Sequence, residues 1–188
     1  MRVFYPVSLN LVGRRCVVIG DDREAIEKEA ALREAGASVV WIKDSQSLAE
    51  DELREAFFVI STPQDVQLST RLRQLADRHR FLLCCIDQPK FGFVAMAAIV
   101  KAGPVRVAIS TAGLAPRVGK ILKLALQRAM DTAFVGFIER LATMREQTQR
   151  ENPLPEQTSI RRTAMLNAAE GFEAEVAFRY PKWYDAER

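Results

Sequence analysis

Four short apolar runs constrain this chain more than any other feature: RCVVIG (15–20), SVVWIK (38–43), FFVIST (57–62) and FLLCCID (81–87). Each is too short for a typical helix and rich in β-branched or aromatic residues, the composition of strands buried on both faces. Helical patterns fill the gaps, over about residues 22–35, 48–55 and 64–79. Strands alternating with helices predict a parallel sheet covered on both sides, so residues 1–95 read as an α/β, Rossmann-like domain.

A different pattern follows. The stretch MAAIVKAGPVRVAIST reads as two strands joined around Gly103-Pro104, and from Pro116 to about Arg150 an amphipathic helical region extends with a break near Asp131. Its apolar stripe includes Val118, Ile121, Leu122, Ala125, Phe134, Ile138 and Leu141. Lying outside a completed sheet, that stripe either packs on its own domain or forms a dimer surface. Residues 96–150 are therefore read as a dimerisation region. ENPLPEQTS reads as a linker, and a last helix over 160–178, ending near Pro181, makes residues 151–188 a helical C-terminal part.

Composition excludes several classes. The 188 residues are 48% hydrophobic and 27% charged, as in soluble globular proteins. No run approaches the length of a membrane span, and MRVFYPVSLN lacks the apolar core of a secretory signal, so a cytoplasmic protein off the membrane is expected. A net charge of +3, with Lys and Arg scattered among Asp and Glu, argues against nucleic acid and is compatible with a small anionic substrate. Cys84 and Cys85 are strand neighbours that point to opposite faces, and Cys16 begins another strand. Buried thiols or a metal site are both open, with thiols the simpler reading and no metal site assigned. His79, the single histidine, sits in the polar segment ADRHR and reads as a solvated surface residue.

The turn after the first strand, VVIGDDREAIEKEA (17–30), is the most informative local segment. A dinucleotide turn asks for a tight first glycine, a second position without a side chain where the pyrophosphate meets the backbone, and a small third residue. Gly20 meets the first demand and Ala25 the last. Asp22 fails the middle one, placing a carboxylate where a phosphate would face helix amides. Asp21 followed by Glu24 also resembles a capping box. A structural cap and a phosphate site both remain open here.

From Tyr5 to about Met130 the chain resembles the precorrin-2 dehydrogenase and sirohydrochlorin ferrochelatase module of siroheme synthase. YPVSLNLVGRRCVVIG is similar to that family's first segment, AALREAGASVVWI to its first helix and second strand, and LLCCIDQP to a strand ending in an aspartate before a proline turn. AAIVKAGPVRVAISTAGLAP is similar to the family's hairpin and small-residue turn. The resemblance implies a homodimer with an NAD-binding Rossmann domain that oxidises precorrin-2, an anionic tetrapyrrole, to sirohydrochlorin, some members then inserting iron. It assigns Asp87 as the catalytic residue. Gly20, Asp21, Asp22, Arg23, Glu24, Asp44 and Ser45 fall at the cofactor, and Ser110, Thr111, Ala112 and Gly113 at the substrate.

The chain departs from the family at definite places. Three glycines become Gly20, Asp21 and Asp22, and Glu27 stands before Lys28 where the family has arginine. The strand unit between Asp44 and Phe57 is largely missing, and Thr-Asp-Asp becomes Thr62, Pro63, Gln64 and Asp65. Ala112 and Ala115 replace a glycine and a serine. These losses fall mainly on the adenine and pyrophosphate side.

Asp87 has a chemical rationale of its own. A carboxylate at the carboxyl end of a parallel strand lies where open α/β sheets bind ligands, and a general base serves both oxidation by hydride loss and deprotonation of ring nitrogens for metal insertion. A turn-capping aspartate is the alternative. Arg117, Lys120 and Lys123 share one helix side and either meet substrate carboxylates or face solvent. Three functions follow: an NAD-dependent dehydrogenase, a tetrapyrrole chelatase or carrier without the dinucleotide, or a non-catalytic dimeric relative.

Overall fold

The structure, a computed structural model, describes residues 4–184. All four apolar runs are strands: β1 (Arg15–Ile19), β2 (Ser38–Ile42), β3 (Phe58–Ser61) and β4 (Leu82–Cys85). They form one parallel sheet in the order β2-β1-β3-β4. One row of the register runs Val40, Val17, Val59, Leu83, and the next runs Trp41, Val18, Ile60, Cys84. Alternate residues face opposite sides, so the two rows enter two separate cores.

On one face Val17, Val59 and Leu83 pack with Leu68, Leu72, Leu75 and Ala76 of α2 (Val66–His79). On the other, Val18, Ile60 and Cys84 pack with Ala25 and Leu32 of α1 (Arg23–Glu34) and with Leu11. Burial on both faces accounts for the unbroken apolar runs. Cys84 and Cys85 divide between the two cores, and Cys16 is buried as well.

Helix ends follow their caps. Asp22, not Asp21, caps α1, its Oδ1 accepting from the Ala25 amide at 2.8 Å, which corrects the expected capping box. Asp65 starts α2 by accepting from the Gln67 and Leu68 amides at 2.8 and 3.1 Å. Arg80 ends it in the left-handed conformation, φ 64°.

The expected helix at 48–55 does not form. Two single 3₁₀ turns, Ser45–Ser47 and Glu50–Glu52, carry the chain from β2 to β3 while Leu48 and Leu53 plug into the core. So short a segment gains too few helical bonds to repay nucleation. His79 is also not a solvated residue: its ring is mostly buried and its Nε2 lies 2.8 Å from Glu50 of that connection.

After β4 come β5 (Ala98–Ala102) and β6 (Val105–Ile109), then α3 (Pro116–Ala129), α4 (Thr132–Glu151) and α5 (Thr158–Ala168). Gly103 has φ +54° at the first central position of the hairpin turn, and an added Cβ would meet Val135 Cγ1 at 2.7 Å. Asp131 caps α4, accepting from Phe134 at 2.9 Å, and so accounts for the expected break. α5 stops ten residues before the expected 178, because Gly171 turns the chain at φ +81°.

The chain packs as two compact units, Met1–Ile99 with Ala108–Lys123, and Val100–Val107 with Leu124–Arg188. The first contains the parallel sheet. In the second, α4 and α5 pack on each other, and Phe172 stacks on Phe137 at 5.1 Å between ring centres. Among the described residues no helix is long and apolar enough to cross a membrane.

Candidate functional site

Two clefts of the first unit lie at the carboxyl ends of the parallel strands, where α/β sheets bind ligands. The first, about 540 Å³, is lined by Gly20, Asp21, Asp22, Lys43, Asp44, Ser45, Gln46 and Pro63. Gly20 is there by necessity: its φ is +121°, and a Cβ would stand 2.2 Å from Thr62 Oγ1. Asp44 follows β2 and accepts from the Gln46 amide at 2.9 Å. The Trp41 indole donates to the Gly20 carbonyl at 2.7 Å, and the Lys43 ammonium sits 4.6 Å above the same ring. Asp22 is the exception in chemistry. Hydrogen bonding from the Thr62 hydroxyl, then from the Ala25 amide, holds its carboxyl below the usual range. The single proton of that hydroxyl is also within reach of the Ile19 carbonyl at 3.3 Å.

The second cavity, about 560 Å³, is built around the turn after β4. Asp87 sits there exposed, with φ +57°, a left-handed conformation that aspartate tolerates better than most residues. Its Oδ2 accepts from Gln64 Nε2 at 3.2 Å. The turn itself closes through backbone, Gln88 N–H to the Cys85 carbonyl at 3.2 Å. Gly92 allows a close approach beside β4, where Phe93 and Val94 both donate to the Leu83 carbonyl at 2.8 and 3.0 Å.

From 23 residues downstream of Asp87, the small-residue turn contributes Ser110, Ala112 and Gly113 to the same cavity. Ser110 Oγ accepts from the Ala112 amide at 3.2 Å, and Ala112 takes φ +51° where the family pattern has glycine. Cys84 forms part of the wall. Burial first, then the neighbouring Cys85, pushes its thiol up to about 12, which makes it an inert apolar surface.

Most of the expected site residues line one cleft or the other, and four line neither. Gly20, Asp21, Asp22, Asp44 and Ser45 line the first. Arg23 instead pairs with Glu27 at 3.0 Å, and Glu24 faces the second cavity while pairing with Lys28 at 3.1 Å. Thr111 turns its methyl toward Gly119, and Arg117 and Lys120 lie exposed on α3 outside the cavity wall. Lys90 is the cation that lines the Asp87 cavity, its ammonium 4.8 Å above the Phe91 ring, and sequence reasoning passed it over. Its place directly after the Asp-Gln-Pro turn was the available signal. Among the described residues no group of three or more His, Cys, Asp or Glu side chains is arranged to hold a metal ion.

A parallel sheet with a ligand cleft at the β1 and β2 ends defines a Rossmann-type nucleotide-binding domain, and residues 7–98 match the family described as "Putative NAD(P)-binding". The chain is similar to siroheme synthases and precorrin-2 dehydrogenases. It is 28% identical over 149 residues to a siroheme synthase of Nitrosococcus oceani, an alignment covering 70% of this chain and 32% of that protein. It is 23% identical over 158 residues to the precorrin-2 dehydrogenase of Bacillus subtilis, covering 74% of this chain and 97% of the relative. The solved structure of SirC, precorrin-2 dehydrogenase, superposes with a TM-score of 0.72 at 19% identity, over 89% of this chain and 90% of that one, a likeness of fold. The chain thus spans about a third of the siroheme synthases it matches.

A dinucleotide fits the first cleft at its nucleoside end. Gly20 lets the turn after β1 pass Thr62, and Asp44 after β2 lines the cleft with a carboxylate, the kind of group that accepts from a ribose hydroxyl in such folds. At the pyrophosphate end Asp22 occupies the Ala25 amide of α1.

Proposed function

We propose that this chain serves siroheme biosynthesis as a cytoplasmic homodimer that oxidises precorrin-2 to sirohydrochlorin. The reading is carried by one observation: Asp87 and the Ser110–Gly113 turn, the two most specific motifs in the sequence, line a single cavity at the carboxyl end of the sheet. Asp87 serves as general base, taking the proton that remains when hydride leaves the substrate. Gln64 holds that carboxylate from one side, and Lys90 offers a cation to the substrate's carboxylates. Bound NAD, held by Gly20, Asp44 and Ser45, supplies the hydride acceptor. Residues 96–150 form the dimerisation region, since Val118, Ile121 and Leu124 of α3 leave large apolar side chains exposed.

One feature favours a second reading. With Asp22 capping α1 through the Ala25 amide, a chelatase or carrier that handles sirohydrochlorin without a dinucleotide would use the same cavity and the same base. The deciding experiment is Asp87→Asn, because asparagine also tolerates the left-handed backbone and leaves folding intact. Turnover of precorrin-2 with NAD is expected to fall by about two orders of magnitude at an unchanged melting temperature. Full activity in the variant overturns Asp87 as the base. Loss of cobalt or iron insertion in a protein that never oxidised precorrin-2 selects the second reading.

A further inference from the structure

The amides at the start of α1 are where a pyrophosphate finds donors in a Rossmann cleft. In this chain a carboxylate already caps that end of the helix. Asp22 Oδ1 accepts from the Ala25 amide at 2.8 Å, and hydrogen bonding at this helix end holds the carboxyl below its usual range, in the charged form. The charge around it is unfavourable to an anion as well: Asp21, Asp22 and Asp44 line the cleft against the single cation Lys43, whose ammonium rests over Trp41. Yet Asp22 is a solvent-exposed side chain at a helix end, free to rotate once its donors are taken.

We propose that Asp22 is a built-in competitor for the pyrophosphate, so that this chain binds NAD only by displacing its own helix cap. The inference rests on reading the first cleft as the dinucleotide site, and it goes further by making one carboxylate set the affinity there. NAD then binds weakly in the wild-type chain, while the nucleoside end of the cleft is unaffected. The same displacement uncaps α1 each time the cofactor enters.

The test is calorimetric titration of the full chain with NAD and, separately, with adenosine, which lacks the phosphates. Wild type, Asp22→Gly and Asp22→Asn are compared, the last keeping a helix cap while removing the charge. NAD should bind Asp22→Gly at least tenfold more tightly than wild type, Asp22→Asn should fall between them, and adenosine should bind all three alike. Equal NAD affinities in wild type and Asp22→Gly, no NAD binding by any of the three, or a parallel gain for adenosine overturn the proposal. Sirohydrochlorin binding, followed by fluorescence quenching on the same samples, keeps the two readings apart. Tighter NAD binding without any tetrapyrrole binding sinks the proposed function and leaves the role of Asp22 standing, and the converse result does the opposite.

Discussion

The two compact units differ in how they bury apolar surface. The parallel sheet fills a core on each face, with Val17, Val59 and Leu83 on one side and Val18, Ile60 and Cys84 on the other. In the second unit only Val100 and Ala102 are buried among the described residues, and α4 and α5 contribute none. Leu124, Met144, Ile160, Phe172 and Trp183 stay exposed. A sheet covered on both faces is stable by its own packing. A helical unit with this much bare apolar surface is compatible with the proposed dimerisation region.

The sharpest way to break the contrast is Leu72→Ala, which empties a fully buried position between α2 and the sheet. It should cost about 3 kcal/mol, read by urea unfolding, and the loss should not depend on protein concentration. Leu124→Asp, on the exposed side of α3, should leave the sheet intact and weaken the proposed dimer by on the order of 2 kcal/mol. Sedimentation equilibrium checks this. A wild-type protein that is monomeric at micromolar concentration removes the dimer from the comparison altogether.

Smaller effects sharpen the first unit. Ala112→Gly should stabilise by about 1 kcal/mol, because alanine at φ +51° carries the strain that glycine lacks. Differential scanning calorimetry reads this as a raised Tm. The smallest effect concerns Glu50, whose carboxyl is held below its ordinary 4.5 by hydrogen bonds from His79 and then Arg78. A depressed folded value stabilises the protein above the unfolded value and loses that contribution as pH falls through the folded one. Glu50→Gln should therefore lower Tm slightly at neutral pH, and the gap from wild type should close as pH drops below about 4.5. A gap that persists at low pH assigns the pair a purely packing role.

The sheet was legible because each strand is buried on both faces, which writes itself as an unbroken apolar run. The 3₁₀ connection was not, since Leu48 and Leu53 are spaced as a helix would space them while answering to a core formed by distant residues. The end of α5 followed from one glycine whose backbone sign no composition reveals. At the site, Asp87 and Ser110 were visible as motifs, but their common cavity depends on the path of residues 88–109. Lys90 follows the Asp-Gln-Pro turn directly, whereas nothing in local spacing ties Gln64 or Glu24 to Asp87.

Asp87 at φ +57° also limits how this protein can evolve. Glutamate is a competent base, yet it would meet a backbone conformation that disfavours it. Asparagine and glycine fit the turn and offer no base. On the proposed role of Asp87, single substitutions at position 87 divide into those that keep the fold and abolish proton transfer and those that keep a base and strain the loop. With that role, a lineage drifting from this sequence would lose the proposed chemistry in one step rather than by gradual attenuation.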